Sequence, residues 1–203
     1  MNLKTIRMAL WGAVAVFGVG VGALYFAGSG SSLKTSASQI ASIGGPFTMT
    51  DLAGETVTEA DLKGRKHAIF FGFASCPDVC PITLQELTAA ASQLDKNQAE
   101  DLDIIFVSVD HERDTPEYLS NYLSVFESDS RIRGFTGTKE QVAKMAKAYR
   151  VYYKKVTQDD GDYLYDHSAS TFLFDDKGSF EGTIAFNEKP SVVLQKLKNL
   201  LAS

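Results

Sequence analysis

Cysteine is nearly absent: Cys76 and Cys80 are the only two in 203 residues. One pair cannot make a disulfide-dense scaffold, and a chain of this length buries a core without one. Positive charge is not in excess either. Twenty Lys and Arg stand against 25 Asp and Glu, a net charge of −5 at pH 7. No basic stripe runs along any segment, which argues against a nucleic-acid surface. There is no internal repeat, and no proline between Pro116 and Pro190. With 44% hydrophobic and 22% charged residues, the composition is globular rather than disordered or fibrous.

Charge is also missing from residues 8–28, "MALWGAVAVFGVGVGALYFAG". An apolar run of about 20 residues spans a bilayer, whereas signal-peptide cores are about 7–15 long. "AGS" at 27–29 offers a cleavage signal as the competing reading. Lys4 and Arg7 precede the run, so residues 1–7 are expected in the cytoplasm and the rest across the membrane. No Arg- and Ser-rich transit peptide comes first, which favours a bacterial inner membrane and periplasm. Gly18 and Gly22 form a weak GxxxG signal. Residues 29–45, rich in Gly and Ser, read as a flexible tether, and 46–203 as one domain.

Within that domain, "PFTMTDLAGETVTEADLKG" predicts two short strands about the turn Ala53-Gly54. "KHAIFFGF" (66–73) and "LDIIFVSVD" (102–110) are apolar enough for strands buried on both faces. Between them Pro81 opens a helix with Leu84, Leu87, Ala91 and Leu94 on one face, and puts Cys80 at the N-cap. Strand, helix and strand make a βαβ unit. Thr115-Pro116 starts a second helix, running to about Glu127. Thr138 and Gln141 have capping-box spacing for a third. "VYYKKVT" (151–157) predicts a strand and "TFLFDDKGSFEGTIAF" (171–186) a hairpin about Asp176-Lys177-Gly178. "PSVVLQKLKNLLA" predicts a closing amphipathic helix. The order fits an α/β domain with a thioredoxin-like fold.

The two thiols then sit between a buried strand and a helix start, where α/β sheets carry ligand sites. A helix start favours thiolate, the form that attacks disulfides and binds soft metals. Three residues separate the sulfurs, where thioredoxin-type oxidoreductases have two. The wider loop suits an ion, and a disulfide stays sterically possible. A purely structural disulfide closing so short a loop would add little stability. The peroxiredoxin pattern fails, because Ile69 and Phe73 stand where its Pro and its Thr or Ser belong.

A metal needs a further donor. His167, in "YDHSASTFLF", is expected in the loop facing the cysteines, with Asp166 orienting its ring and Asp78 as a weak outer donor. His111, at the end of "IIFVSVD", shares that neighbourhood but reads as a loop residue. His67, at the opposite strand end, reads as surface. Two thiolates and an imidazole suit Cu(I), and also Cu(II) with one more donor; a structural zinc would take four protein ligands.

"FGFASCPDVCP", "SVDHERDTPE", "GFTGTKEQVAKMAKAYRVYY" and "DYLYDHS" together resemble the Sco (SenC/PrrC) copper proteins, from about residue 46 to the end. The resemblance implies a thioredoxin-like fold and copper held by Cys76, Cys80 and His167. It also implies a metallochaperone, not an enzyme, that delivers copper to the dinuclear site in subunit II of cytochrome c oxidase. Other periplasmic copper carriers or thiol reductases are the further expected partners, and Cys76–Cys80 the redox-active disulfide. The rival function is a thiol–disulfide reductase that keeps the recipient's cysteines reduced. One departure is His111, where the family commonly has proline.

Overall fold

The structure is a computed structural model that describes residues 43–126, 131–159 and 161–203. The expected cytoplasmic segment and membrane anchor, and nearly all of the tether, lie outside the described residues. Among the described residues no helix is long and apolar enough to cross a membrane.

Among the described residues seven strands, β1 (Thr48–Asp51), β2 (Thr56–Thr58), β3 (Lys66–Gly72), β4 (Leu102–Ser108), β5 (Arg131–Thr136), β8 (Thr171–Phe174) and β9 (Phe180–Ile184), form one sheet in the order β2-β1-β5-β4-β3-β8-β9. At its centre β3 (Lys66–Gly72) runs parallel to β4 (Leu102–Ser108), and both are buried throughout. Continuous apolar runs belong in such a place, since helices cover parallel strands on both faces. α1 (Val79–Ala91) makes the crossover between them, and the six-residue α2 (Lys96–Asp101) follows. β5 (Arg131–Thr136) adds a third parallel strand, which the sequence reading did not identify. Its "RIRGFT" lacks the apolar run that marks β3 and β4, because only its second half is buried.

β1 (Thr48–Asp51) and β2 (Thr56–Thr58) form the expected hairpin, and β1 pairs antiparallel with β5. The rest of "TEADLKG" is a 3₁₀ turn over Glu59–Leu62 rather than strand. α3 (Pro116–Leu123) and α4 (Lys139–Ala148) carry the expected caps, with Thr115 accepting from the Tyr118 N–H and Thr138 from that of Gln141. β8 (Thr171–Phe174) and β9 (Phe180–Ile184) make the expected second hairpin, closed where Asp175 accepts from the N–H groups of Lys177 and Ser179. α5 (Pro190–Ala202) closes the chain and packs on α1.

Two expectations are corrected. "VYYKKVT" does give β6 (Tyr153–Thr157), but its partner is β7 (Tyr163–His167), and the pair stands as a separate two-stranded sheet. His167 therefore ends a strand and is not in a loop. His67 is not on the surface: it is 1% exposed, held in β3 between Asp103 of β4 and Phe174 of β8. A strand paired on both sides and covered on both faces buries even its first residues.

Phenylalanine dominates the core. Phe70, Phe71, Phe73, Phe106, Phe135 and Phe174 are all fully buried, each worth about 1.5–3 kcal/mol of transfer free energy. Three of them, Phe70 of β3, Phe73 just past its end and Phe106 of β4, lie beside the site described next.

Candidate metal centre

α1 begins two residues earlier than Pro81 suggested. Its N-cap position is Asp78, which makes no side-chain cap bond, and Cys80 lies inside the first turn. Proline is tolerated anywhere in that turn, because the N–H it lacks would have no helical partner. Cys76 lies in the preceding loop, with its own N–H bonded to the Phe73 carbonyl.

Both cysteines are free thiols, Cys80 fully buried and Cys76 half-buried. The Cys80 N–H points to the Cys76 sulfur at 3.5 Å. The Cys80 sulfur lies 3.5 Å from Nε2 of His167. One donor atom from each of the three residues falls within 4.8 Å of the others. Among the described residues this is the one group of three or more Cys, His, Asp or Glu so arranged.

The imidazole is fixed from three sides. Nδ1 lies 3.0 Å from the Ser168 carbonyl, and the ring stands edge-on to Phe70 and Phe73, each with centroids 5.9 Å away. A carbonyl can only accept, so Nδ1 carries the proton and Nε2 turns its lone pair toward the sulfurs. Asp166 does not orient the ring. Neighbours on a strand face opposite ways, and Asp166 is exposed beside Lys154 of β6. Asp78 is likewise exposed and outside the donor group, and it serves through its backbone N–H, which supports the Cys76 sulfur. His111 is half-buried and outside the group.

The two thiols differ sharply. Cys76 is held far below the ordinary thiol range, at about 4, first by the hydrogen bond from Cys80, with the N–H groups of Asp78 and Cys80 adding to it. Burial pushes Cys80 up, and the neighbouring sulfur adds to the effect. The thiolate is favoured at Cys76, the residue outside the helix, chiefly by the Cys80 thiol with the helix-start N–H groups as a smaller contribution, while desolvation wins at Cys80.

Gly72 was not singled out in the sequence, yet the site needs it. A Cβ there would stand 2.6 Å from the Cys80 sulfur and 3.0 Å from the Phe106 ring. The missing side chain lets the sulfur seat directly against the strand end. Outside the donors, a cleft of about 290 Å³ opens between Pro77, Asp78 and Val79 on one side and Val156, Leu164 and Asp166 on the other. Its floor includes Cys76 and His167, so the site can be reached by another molecule.

Fold and donor set together define a thioredoxin-like α/β domain with a Cys–Cys–His group of the kind soft metals take. A family model described as SCO1/SenC matches residues 35–202, and the chain belongs to that family. The SCO2-like protein of Rickettsia felis is 34% identical over 192 residues, covering 89% of this chain and 91% of that protein. The mitochondrial SCO2 protein of Saccharomyces cerevisiae is 39% identical over 158 residues, 77% of this chain; the match spans about half, 52%, of the yeast protein. The structure of Bradyrhizobium japonicum ScoI with copper bound superposes with a TM-score of 0.68 at 42% identity, over 78% of this chain and 99% of that one. The Cys–Cys–His group here is consistent with the copper bound in that relative.

Proposed function

We propose that the protein is a membrane-tethered copper metallochaperone, with Cys76, Cys80 and His167 as ligands and subunit II of cytochrome c oxidase as recipient. The observation that carries this is the convergence of two early sulfurs and one late imidazole within 4.8 Å. Copper is the cargo. The preformed Cys76 thiolate meets it first, at the exposed edge of the site. Cys80 must then give up its proton, so uptake releases a proton and strengthens with pH. His167 offers Nε2 with no change of tautomer. Release proceeds by ligand exchange, the recipient's thiolates replacing these donors one at a time through the open cleft. The charge-free run at 8–28, with Lys4 and Arg7 before it, supports a single-pass anchor in the bacterial inner membrane with residues 46–203 in the periplasm. The family resemblance supports the recipient.

The test is copper titration of the reduced protein and of His167→Ala, followed by absorption and spin resonance. One ion per chain with thiolate-to-metal charge transfer is expected, and a large loss of affinity in the variant. Unchanged affinity in His167→Ala would refute the ligand set.

The second reading is a thiol–disulfide reductase for the recipient's cysteines. It is favoured by the pairing of a half-exposed Cys76 thiolate with a buried Cys80 thiol, the usual division into attacking and resolving sulfurs. It does not need His167, so thiol exchange in His167→Ala separates the two. A Cys76–Cys80 disulfide would block copper until a reductant supplied two electrons.

A further inference from the structure

The segment "SVDHERDTPE" runs from the end of β4 to the first turn of α3, and no residue of it is a proposed ligand. Its side chains nevertheless reach both arms of the Cys–His group.

One arm is the cysteine loop. Asp114, 2% exposed, accepts from the Ala74 N–H at 2.9 Å, two residues before Cys76. The same oxygen accepts from the Ser108 hydroxyl at 2.5 Å, and the Asp114 carbonyl accepts from the Thr136 hydroxyl at 2.6 Å. Asp114 thus ties the start of the cysteine loop to the ends of β4 and β5.

The other arm is the β6–β7 hairpin that ends in His167. Asp110, fully buried, accepts from the Tyr163 hydroxyl at 3.0 Å and from Nε of Arg113 at 2.5 Å. The Arg113 guanidinium lies over the Tyr163 ring, 3.8 Å from its centroid, and Nη1 reaches Asp162 at 3.1 Å. Lys155 of β6 also lies over that ring, at 3.6 Å, and pairs with Glu112 at 2.6 Å. Tyr163 and His167 are the two ends of β7.

A two-stranded hairpin on its own is marginal in water. Among the described residues its ladder bonds run only between β6 and β7, so beyond its chain connections side chains decide where it sits. Near the imidazole these are Tyr165 against Phe73 and the ring contacts of His167 itself. At the far end it is the contact with 110–113. A charge-assisted bond to the buried Asp110 carboxylate, with cation–π contacts at its partly exposed margin, is among the more directional attachments available.

We propose that the 110–114 loop is a bracket that sets the separation between the sulfur pair and the imidazole. Asp110 and Arg113 are positioning residues for His167, and Asp114 for the cysteine loop. The bracket rests on the copper reading for its main readout. Metal–ligand bonds tolerate errors of only about 0.2 Å. A hairpin loosened at Tyr163 therefore weakens binding without the loss of a ligand.

The test is a double-mutant cycle of Arg113→Gln with His167→Ala in the full chain, read as Cu(I) affinity by competition and as the charge-transfer spectrum. Loss of an outer support typically costs about 10–100-fold in metal affinity, and that loss is expected for Arg113→Gln with His167 present. In the His167→Ala background, Arg113→Gln should change affinity by no more than about twofold, because it acts only through the imidazole. Tyr163→Phe keeps the ring and removes the bond to Asp110; it should give a smaller loss with the same dependence on His167, and it carries the cycle if Arg113→Gln does not fold. In the apo protein, ring contacts of His167 with Phe70 and Phe73, read by NMR, should weaken. Equal losses in both backgrounds, or none in either, overturn the bracket alone. Full affinity in His167→Ala by itself overturns both the bracket and the ligand set beneath it.

Discussion

Adding one methyl group at Gly72 tests the packing that seats Cys80. In Gly72→Ala the new Cβ would meet the Cys80 sulfur at 2.6 Å, about 0.8 Å short of where ordinary contact begins at 3.4 Å. Phe106 at 3.0 Å and Phe70 at 3.1 Å close the sideways routes. Both rings are fully buried in a core packed to crystal-like density and cannot retreat far. The sulfur must therefore move, or β3 must bow. Overpacking of this kind costs about 1–3 kcal/mol. For a domain of this size that lowers Tm by about 2–4 °C for each kcal/mol. A shift approaching 0.8 Å is several times the error a metal–thiolate bond accepts. Copper affinity should thus fall by at least about tenfold, a larger effect than the modest loss of stability suggests. The assay is thermal unfolding of the reduced apo protein beside Cu(I) competition. Removing the obstacle supplies the control: in a Cys80→Ala background, Gly72→Ala should lose clearly less stability, the residual cost falling to Phe106. An unchanged Tm and unchanged affinity in Gly72→Ala would refute the argument, and so would an identical loss in the Cys80→Ala background.

Alkylation of the reduced protein should modify Cys76 first, because Cys80 is fully buried beneath it; peptide mapping that found Cys80 labelled as fast would contradict the seating of that sulfur. His67 should make the protein acid-sensitive. Burial lowers its folded value from 6.5 to about 4, so the folded state keeps it neutral while the unfolded chain takes up a proton first. Its contribution is complete above pH 6.5 and is lost as pH falls toward 4, about 2 kcal/mol between pH 6.5 and 5. His67→Leu should flatten that part of the stability curve measured by denaturant titration; a parallel curve for the two proteins would clear His67 of the role.

Much of the fold was legible from local chemistry. The apolar runs at 66–73 and 102–110 could only be strands buried on both faces, and Thr115, Pro116, Thr138 and Gln141 cap the helices they announced. The elements that were missed lack such marks. β5 is half polar, since one end of it meets solvent, and β7 was hidden because "DYLYDH" forms a strand only with β6 as partner. The Cys76–Cys80 pair and His167 stood out as a metal set through their rarity and their place at strand ends. Asp166 was misjudged as the ring's support, because adjacency in sequence means opposite faces in a strand.

The sequence by itself determined which residues could hold a soft metal and which segments would form the central strands and helices, because those depend on residue type, spacing and a few neighbours. Tertiary structure decided the rest: that Cys80 would be buried and Cys76 ionised, that His167 would present Nε2 by giving Nδ1 to Ser168, and that Gly72 would make room for a sulfur. The sulfur pair, its seat at Gly72 and the reach of the imidazole depend on desolvation and on distances between residues 4 to 87 apart, and even the contact with the adjacent Ser168 needs a strand-end backbone that only the folded packing sets.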